Sequence, residues 1–262
     1  MINKNKSLIF NLFLIFVIFY LVHSFYLFMV ILIYKMHIGI FYLNLLISLV
    51  YDGTILTGLL FLRDKFVFAE TGVPLKKLNL ANVISLFRIT ALPVIFILLL
   101  YVQDYPILKF VFPYIFIVFL SDFVDGIIAR SYHQITQIGK YIDSASDYLI
   151  LIAISTIFTI YHLIPVWFFI LVIIRLLTFP LGMIFISIMR KELVYEISFL
   201  GKVSIFLIMF LYAFELVATA GIEVMTLIKP YLEYAIGAVV IISLAEKVIS
   251  LIKTSKQIKL EK

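Results

Sequence analysis

Eight apolar stretches, near 7–34, 38–62, 82–103, 107–129, 141–161, 163–188, 199–220 and 229–251, fill most of this chain and leave only short polar connections between them. A helix needs about 20 such residues to cross the hydrocarbon core of a bilayer. In lipid every backbone N–H and C=O must be satisfied within the protein, which a helix does by itself and an open strand does not. The pattern predicts an all-α, multi-pass integral membrane protein whose main surroundings are the lipid bilayer. Composition agrees, with 65% hydrophobic and 14% charged residues, where a soluble domain has about 45–50% and about 25%. The absence of cysteine excludes a disulfide framework and a thiolate metal site.

The basic excess, a formal charge of +6, gathers in no soluble domain and so predicts no nucleic-acid partner. In a membrane chain it marks the cytoplasmic loops. With the N-terminus inside, Lys4, Lys6, Arg63, Lys65, Arg88, Arg130, Arg190 and Lys202 fall at or near the cytoplasmic face, and only Lys35, Lys109 and Lys229 fall outside. The first apolar run has no small-residue cleavage site and reads as a retained helix. Three segments are expected: two N-terminal transmembrane helices in 1–65, a cytoplasmic linker at 66–81 with an interfacial helix, and six helices with a tail in 82–262.

Four carboxylates interrupt this apolar background: Asp122, Asp125, Asp143 and Asp147. One Asp at the centre of a membrane helix costs roughly 2.5–3.5 kcal/mol on insertion scales, so the group needs an offsetting partner. Asp122 and Asp125 are three apart and Asp143 and Asp147 four apart, which puts each pair on one helix face. The loop between the two helices is short, so they are antiparallel neighbours whose carboxylates can converge at one depth near the cytoplasmic surface. Oxygen-only ligands of this kind suit Mg²⁺ or Mn²⁺. Four carboxylates could hold two ions and leave one group free as a base. Gly126, Ala129 and Gly139 leave room beside the acids for a ligand or for close helix packing.

Asp122, Asp125, Gly126, Ala129, Arg130, Gly139, Asp143 and Asp147 fill every fixed position of the pattern D-x2-D-G-x2-A-R-x8-G-x3-D-x3-D, with the spacing intact. On these residues the chain resembles the CDP-alcohol phosphatidyltransferase family, over about 82–251. The resemblance implies a six-helix catalytic core preceded here by two extra transmembrane helices. It implies transfer of a phosphatidyl or similar phosphoalcohol group from a CDP-linked lipid donor to a small alcohol acceptor, with release of CMP. It also implies a site facing the cytoplasm of the cell (inner) membrane, and it allows a homodimer. Carried over by position, Asp122, Asp125, Asp143 and Asp147 would form the metal site, with Asp147 also the general base, and Gly126 and Ala129 would flank the cytidine. Arg130 and Gly139 belong to the same donor site. Asn82, Ser85 and Arg88 match the opening of the first core helix in family members and would also hold the donor.

Three places are similar to phosphatidylglycerolphosphate synthases: Arg88 to Pro93, Ile173-Ile174-Arg175, and Gly201-Lys202-Val203-Ser204. Arg175, Arg190 and Lys202, with Lys191, would then form a cationic site for a phosphorylated acceptor, with glycerol 3-phosphate the best fit. Leu176 stands where that branch has Glu, and Ser144-Ala145-Ser146 follow Asp143 in place of Pro-Leu-Ala. Serine, inositol phosphate, or diacylglycerol with a CDP-aminoalcohol donor are the alternative acceptors, and a cation-coupled transporter is the alternative class. Transport sites sit near the bilayer midplane, whereas this cluster borders a cytoplasmic loop. The signature lies wholly after residue 81, so the first two helices are expected to be dispensable for chemistry. Asp52-Gly53 is expected to interrupt the second helix, Glu215 to pair internally, and the four histidines to have no metal-binding role.

Overall fold

A computed structural model describes residues 2–132, 135–190, 199–218 and 223–260. Among the described residues there are nine α-helices: α1 (Ile2–Tyr34), α2 (Gly39–Phe61), α3 (Leu80–Thr90), α4 (Leu92–Leu100), α5 (Leu108–Ser131), α6 (Gln137–Ile160), α7 (Val166–Arg190), α8 (Phe199–Ala218) and α9 (Glu223–Leu260). No strand occurs among these residues, only two isolated bridges, Val67 with Pro74 and Phe68 with Thr136. Five segments are long and apolar enough to cross a membrane: Lys6–Tyr34, Gly39–Phe61, Leu80–Leu100, Gln137–Ile160 and Leu227–Lys253. Leu108–Val118 and Val166–Thr178 are shorter apolar helices within the described residues. Phe10, Phe61, Phe112 and Phe206 are each at least 67% exposed, as lipid-facing side chains are.

The third expected span is two helices in series. Pro93 stands in the first turn of α4, where its missing N–H is tolerated but cannot continue the ladder of α3. The linker also differs from expectation, because residues 66–79 contain no interfacial helix. They fold back on themselves instead: Phe68 N donates to Val73 O at 3.0 Å and Leu75 N to Phe66 O at 2.8 Å. Gly72 at the tip has φ +66°, a conformation open to glycine without strain. Asn79 then caps α3 by accepting from Asn82 N at 3.0 Å. Asp52 and Gly53 do not interrupt α2, which is continuous from Gly39 to Phe61.

The chain forms two compact units, Met1–Ala153 and Ile154–Lys262, with the division inside α6. The expected boundary near residue 65 is absent, because α1 and α2 share the first unit with α3, α4 and α5. Helix α1 packs on α2, α3 and α4, and α2 also packs on α4. One buried cluster joins Leu8, Leu12 and Phe16 of α1 to Leu59, Phe66, Leu75, Leu86, Ile138 and Ile142. Polar ties run alongside it. His23 Nδ1 meets Tyr114 Oη at 2.7 Å and its Nε2 meets Thr90 Oγ1 at 3.2 Å. Asn11 Oδ1 accepts from Leu78 N at 2.9 Å, just ahead of α3. Histidine 23 therefore has a structural task that its isolated position in the sequence did not reveal.

In the second unit α7 and α8 pack on α9 around Phe168, Val172, Ile208, Leu211 and Val240, all fully buried. Glu215 is paired as expected: Lys229 Nζ lies 2.8 Å from its Oε2 and 4.0 Å from Glu233 Oε1.

Candidate active site

Within the first unit, the start of α3, the end of α5 and the start of α6 enclose a cleft of about 50 Å³. Helix α3 contributes Asn82 and Ser85, α5 contributes Asp125, Gly126 and Ala129, and α6 contributes Gly139 and Asp143. Ile135 and Thr136, from the α5–α6 connection, complete the wall. The space is enough to hold water or another small polar group beside these side chains.

Four of the polar lining residues are paired with one another. Ser85 Oγ donates to Asp125 Oδ2 at 2.7 Å, and Asp125 is 4% exposed. Thr136 Oγ1 donates to Asn82 Oδ1 at 3.0 Å and accepts from Gly139 N at 2.9 Å. Gly139 is required by this arrangement. A Cβ there would lie 2.8 Å from Thr136 Oγ1 and 2.9 Å from Asn82 Oδ1, closer than side chains pack.

Arg88 lies behind the cleft at 1% exposure. Its Nε donates to Ser146 Oγ at 2.9 Å, and Ser146 in turn donates to Asp143 O at 2.8 Å. Its Nη1 stands 4.0 Å from Asp125 Oδ2 and its Nη2 3.6 Å from Asp143 Oδ1. One guanidinium thus lies between two carboxylates from two helices. Asp147, one turn beyond Asp143, is exposed and within electrostatic reach of both Arg88 and Asp125.

Seven of the residues singled out from the sequence, Asn82, Ser85, Asp125, Gly126, Ala129, Gly139 and Asp143, line one cleft. The side chains of Asp122, Arg130 and Arg190, and all of Lys191, lie outside the described residues. Among the described residues no three carboxylate or imidazole groups are gathered as a ready metal cage. The donor set nevertheless fits a divalent cation. It is all oxygen, it carries more negative charge than Arg88 offsets, and Asp143 Oδ1 is buried without a hydrogen bond among the described residues. Thr136 and Ser146 were not singled out from sequence. A lone loop threonine carries no spacing signal, and Ser146 stood out only as a departure from one branch of relatives.

Residues 78–245 match the CDP-alcohol phosphatidyltransferase family, well over half of the chain. The chain belongs to this family. Among curated relatives, a CDP-diacylglycerol–glycerol-3-phosphate 3-phosphatidyltransferase of Rickettsia bellii is 38% identical over 73 residues, 28% of this chain and 39% of the relative. The Bacillus subtilis protein of the same name is 32% identical over 108 residues, 37% of this chain and 56% of the relative. A cardiolipin synthase (CMP-forming) of Streptomyces coelicolor is 30% identical over 99 residues, 37% and 44% respectively. The matches thus span from about two fifths to somewhat over half of these relatives' lengths. No solved structure matches the chain.

For a CDP-alcohol phosphatidyltransferase, the carboxylate signature at the ends of α5 and α6 is the expected chemical centre. The candidate acceptor residues belong to the second unit. Arg175 is 3% exposed and its Nε donates to Ser243 Oγ at 3.1 Å, with Ser204 Oγ 3.2 Å beyond. Lys202 is exposed on α8.

Asp52, noted from sequence as an intramembrane acid, is buried on the inner face of α2 with Asn44 and Ser48. Neither of its carboxylate oxygens has a hydrogen-bond partner among the described residues.

Proposed function

We propose that this protein transfers a phosphatidyl group from CDP-diacylglycerol to glycerol 3-phosphate, releasing CMP on the cytoplasmic side of the cell membrane. The observation that carries this reading is the cleft in which Asn82, Ser85, Asp125, Gly126, Ala129, Gly139 and Asp143 meet. The intact eight-position signature and the names of the Rickettsia and Bacillus relatives support the donor and acceptor.

The donor's diphosphate lies at the carboxylate end of the cleft, with the cytidine across the small surface of Gly126 and Ala129. Asn82, Ser85, Arg130 and Gly139 complete the donor site. Asp122, Asp125 and Asp143 would hold one or two Mg²⁺ or Mn²⁺ ions, which would neutralise the diphosphate and stabilise CMP as the leaving group. Arg88 keeps Asp125 and Asp143 apart and aimed at the cleft. Asp147, exposed one turn away, accepts the proton of the acceptor hydroxyl as that oxygen bonds to the phosphorus bearing the diacylglycerol. The bond from that phosphorus to the CMP oxygen breaks, and CMP leaves with the electron pair.

The test is CMP release by purified protein from CDP-diacylglycerol, offered glycerol 3-phosphate, phosphatidylglycerol, serine, inositol phosphate or no acceptor. Release with glycerol 3-phosphate is expected. Release only with phosphatidylglycerol would move the protein to the chemistry named for the Streptomyces relative, and no release with any acceptor would overturn the reading.

A further inference from the structure

Residues 66–75 lie ahead of the family match, which begins at residue 78, yet they touch the wall of the cleft. Phe68 forms an antiparallel bridge with Thr136. Ala69 N donates to Ile135 O at 2.9 Å, and Gln137 N donates to Val67 O at 3.0 Å. The segment therefore adds a short piece of extended pairing to the α5–α6 connection at the residues that line the cleft. Its own shape is fixed at both ends. The tip closes through Gly72, whose N donates to Phe68 O at 2.9 Å, and the base is anchored by Phe66, 1% exposed in the cluster shared with α1.

Thr136 has little freedom once this pairing is made. Its backbone is bridged to Phe68 while its side chain bonds Asn82 Oδ1 and Gly139 N. Gln137 begins α6, so the bond from Gln137 N to Val67 O ties the segment to the first residue of that helix.

We propose that residues 66–75 are a positioning strap for the donor site. Through its backbone the strap holds Ile135 and Thr136 against the cleft and sets the affinity for the CDP-linked donor. This rests on the reading of the cleft as that donor's site. The strap touches no reacting group, so loosening it weakens donor binding without removing the catalytic carboxylates. That pattern is a raised KM at unchanged kcat.

Two substitutions test it in full-length protein. Ala69→Pro removes the N–H that reaches Ile135, and the extended backbone a proline imposes on its predecessor suits the bridge at Phe68. Gly72→Val strains the left-handed tip, whereas Gly72→Asn tolerates it. Ala69→Pro and Gly72→Val are expected to raise the KM for CDP-diacylglycerol by roughly three- to tenfold, the equivalent of one net hydrogen bond. The kcat and the KM for the acceptor should stay within about twofold in both, and Gly72→Asn should restore the wild-type value. Binding of CDP to the same preparations should weaken in parallel. Should Ala69→Pro fail to fold, the Gly72 pair decides alone. Unchanged donor KM in folded Ala69→Pro or Gly72→Val, or a loss confined to kcat, overturns the strap. Wild-type protein that releases no CMP overturns the functional reading instead.

Discussion

Arg88 is a buried charge and Asp147 an exposed one, and the proposed reaction gives them different roles. Arg88, 1% exposed, lies 4.0 Å from Asp125 Oδ2 and 3.6 Å from Asp143 Oδ1. Removing Arg88 leaves the buried Asp125 uncompensated, a change that costs up to about 3–5 kcal/mol for a fully buried pair, whereas the half-exposed Asp143 is still met by water. Arg88→Ala should therefore lower the thermal unfolding temperature in detergent, and adding Asp125→Asn should recover part of the loss. Equal unfolding temperatures for Arg88→Ala and wild type would show that the guanidinium does not hold the two helices. Asp147 calls for a different experiment, because it is exposed and its loss leaves no buried charge behind. Asp147→Asn keeps the shape and removes the basicity. A positioned base contributes roughly 10²–10⁴-fold, so turnover should fall by that order while binding of the CDP donor persists. Lost donor binding in Asp147→Asn would assign it to metal ligation rather than to proton transfer.

At the scale of elements, the catalytic unit is larger than the signature suggested. Helices α1 and α2 were expected to be separable from the chemistry. Instead Leu8, Leu12 and Phe16 share a core with Leu86 of α3 and Ile138 of α6, and Asn11 holds the backbone just before α3. A chain beginning at Phe66 should consequently expose that apolar face, lose the tie to Leu78 and lack transferase activity. The measurement is its monodispersity in detergent and its CMP release, and a well-folded, active truncation would contradict the packing argument. The difference from expectation has a physical source. Helical spacing made Asp125 and Ala129, Gly139 and Asp143, and Asn82 and Ser85 legible, because neighbours three or four apart on a helix share a face. The polar links that join elements carry no such period. His23 to Tyr114, Thr136 to Asn82 and Ala69 to Ile135 are pairings between residues more than 50 positions apart. The end of the linker looked like an amphipathic surface segment because Pro74, Lys76 and Lys77 were visible, while the partner of residues 66–75, residues 135–137, was not. Glu215 was the exception, since an acid deep in an apolar helix implies a partner even when the partner cannot be named, and Lys229 fills that role.

For the whole molecule, helices long and apolar enough to cross a membrane carry a polar cleft lined by Asp125 and Asp143 in the first unit. The proposed reaction uses a divalent ion held by the carboxylates, and that proposal is open to a direct test. Excess chelator should abolish CMP release, and added Mg²⁺ or Mn²⁺ should restore it; full release in chelator would remove metal from the mechanism. The most direct measurement of the central claim is stoichiometric. Purified protein in defined lipid is supplied with CDP-diacylglycerol and labelled glycerol 3-phosphate, and both CMP and lipid-linked label are counted. The account predicts one CMP for each labelled phospholipid, and neither product when the acceptor is withheld. CMP formed without acceptor, or label transferred without CMP, would contradict it.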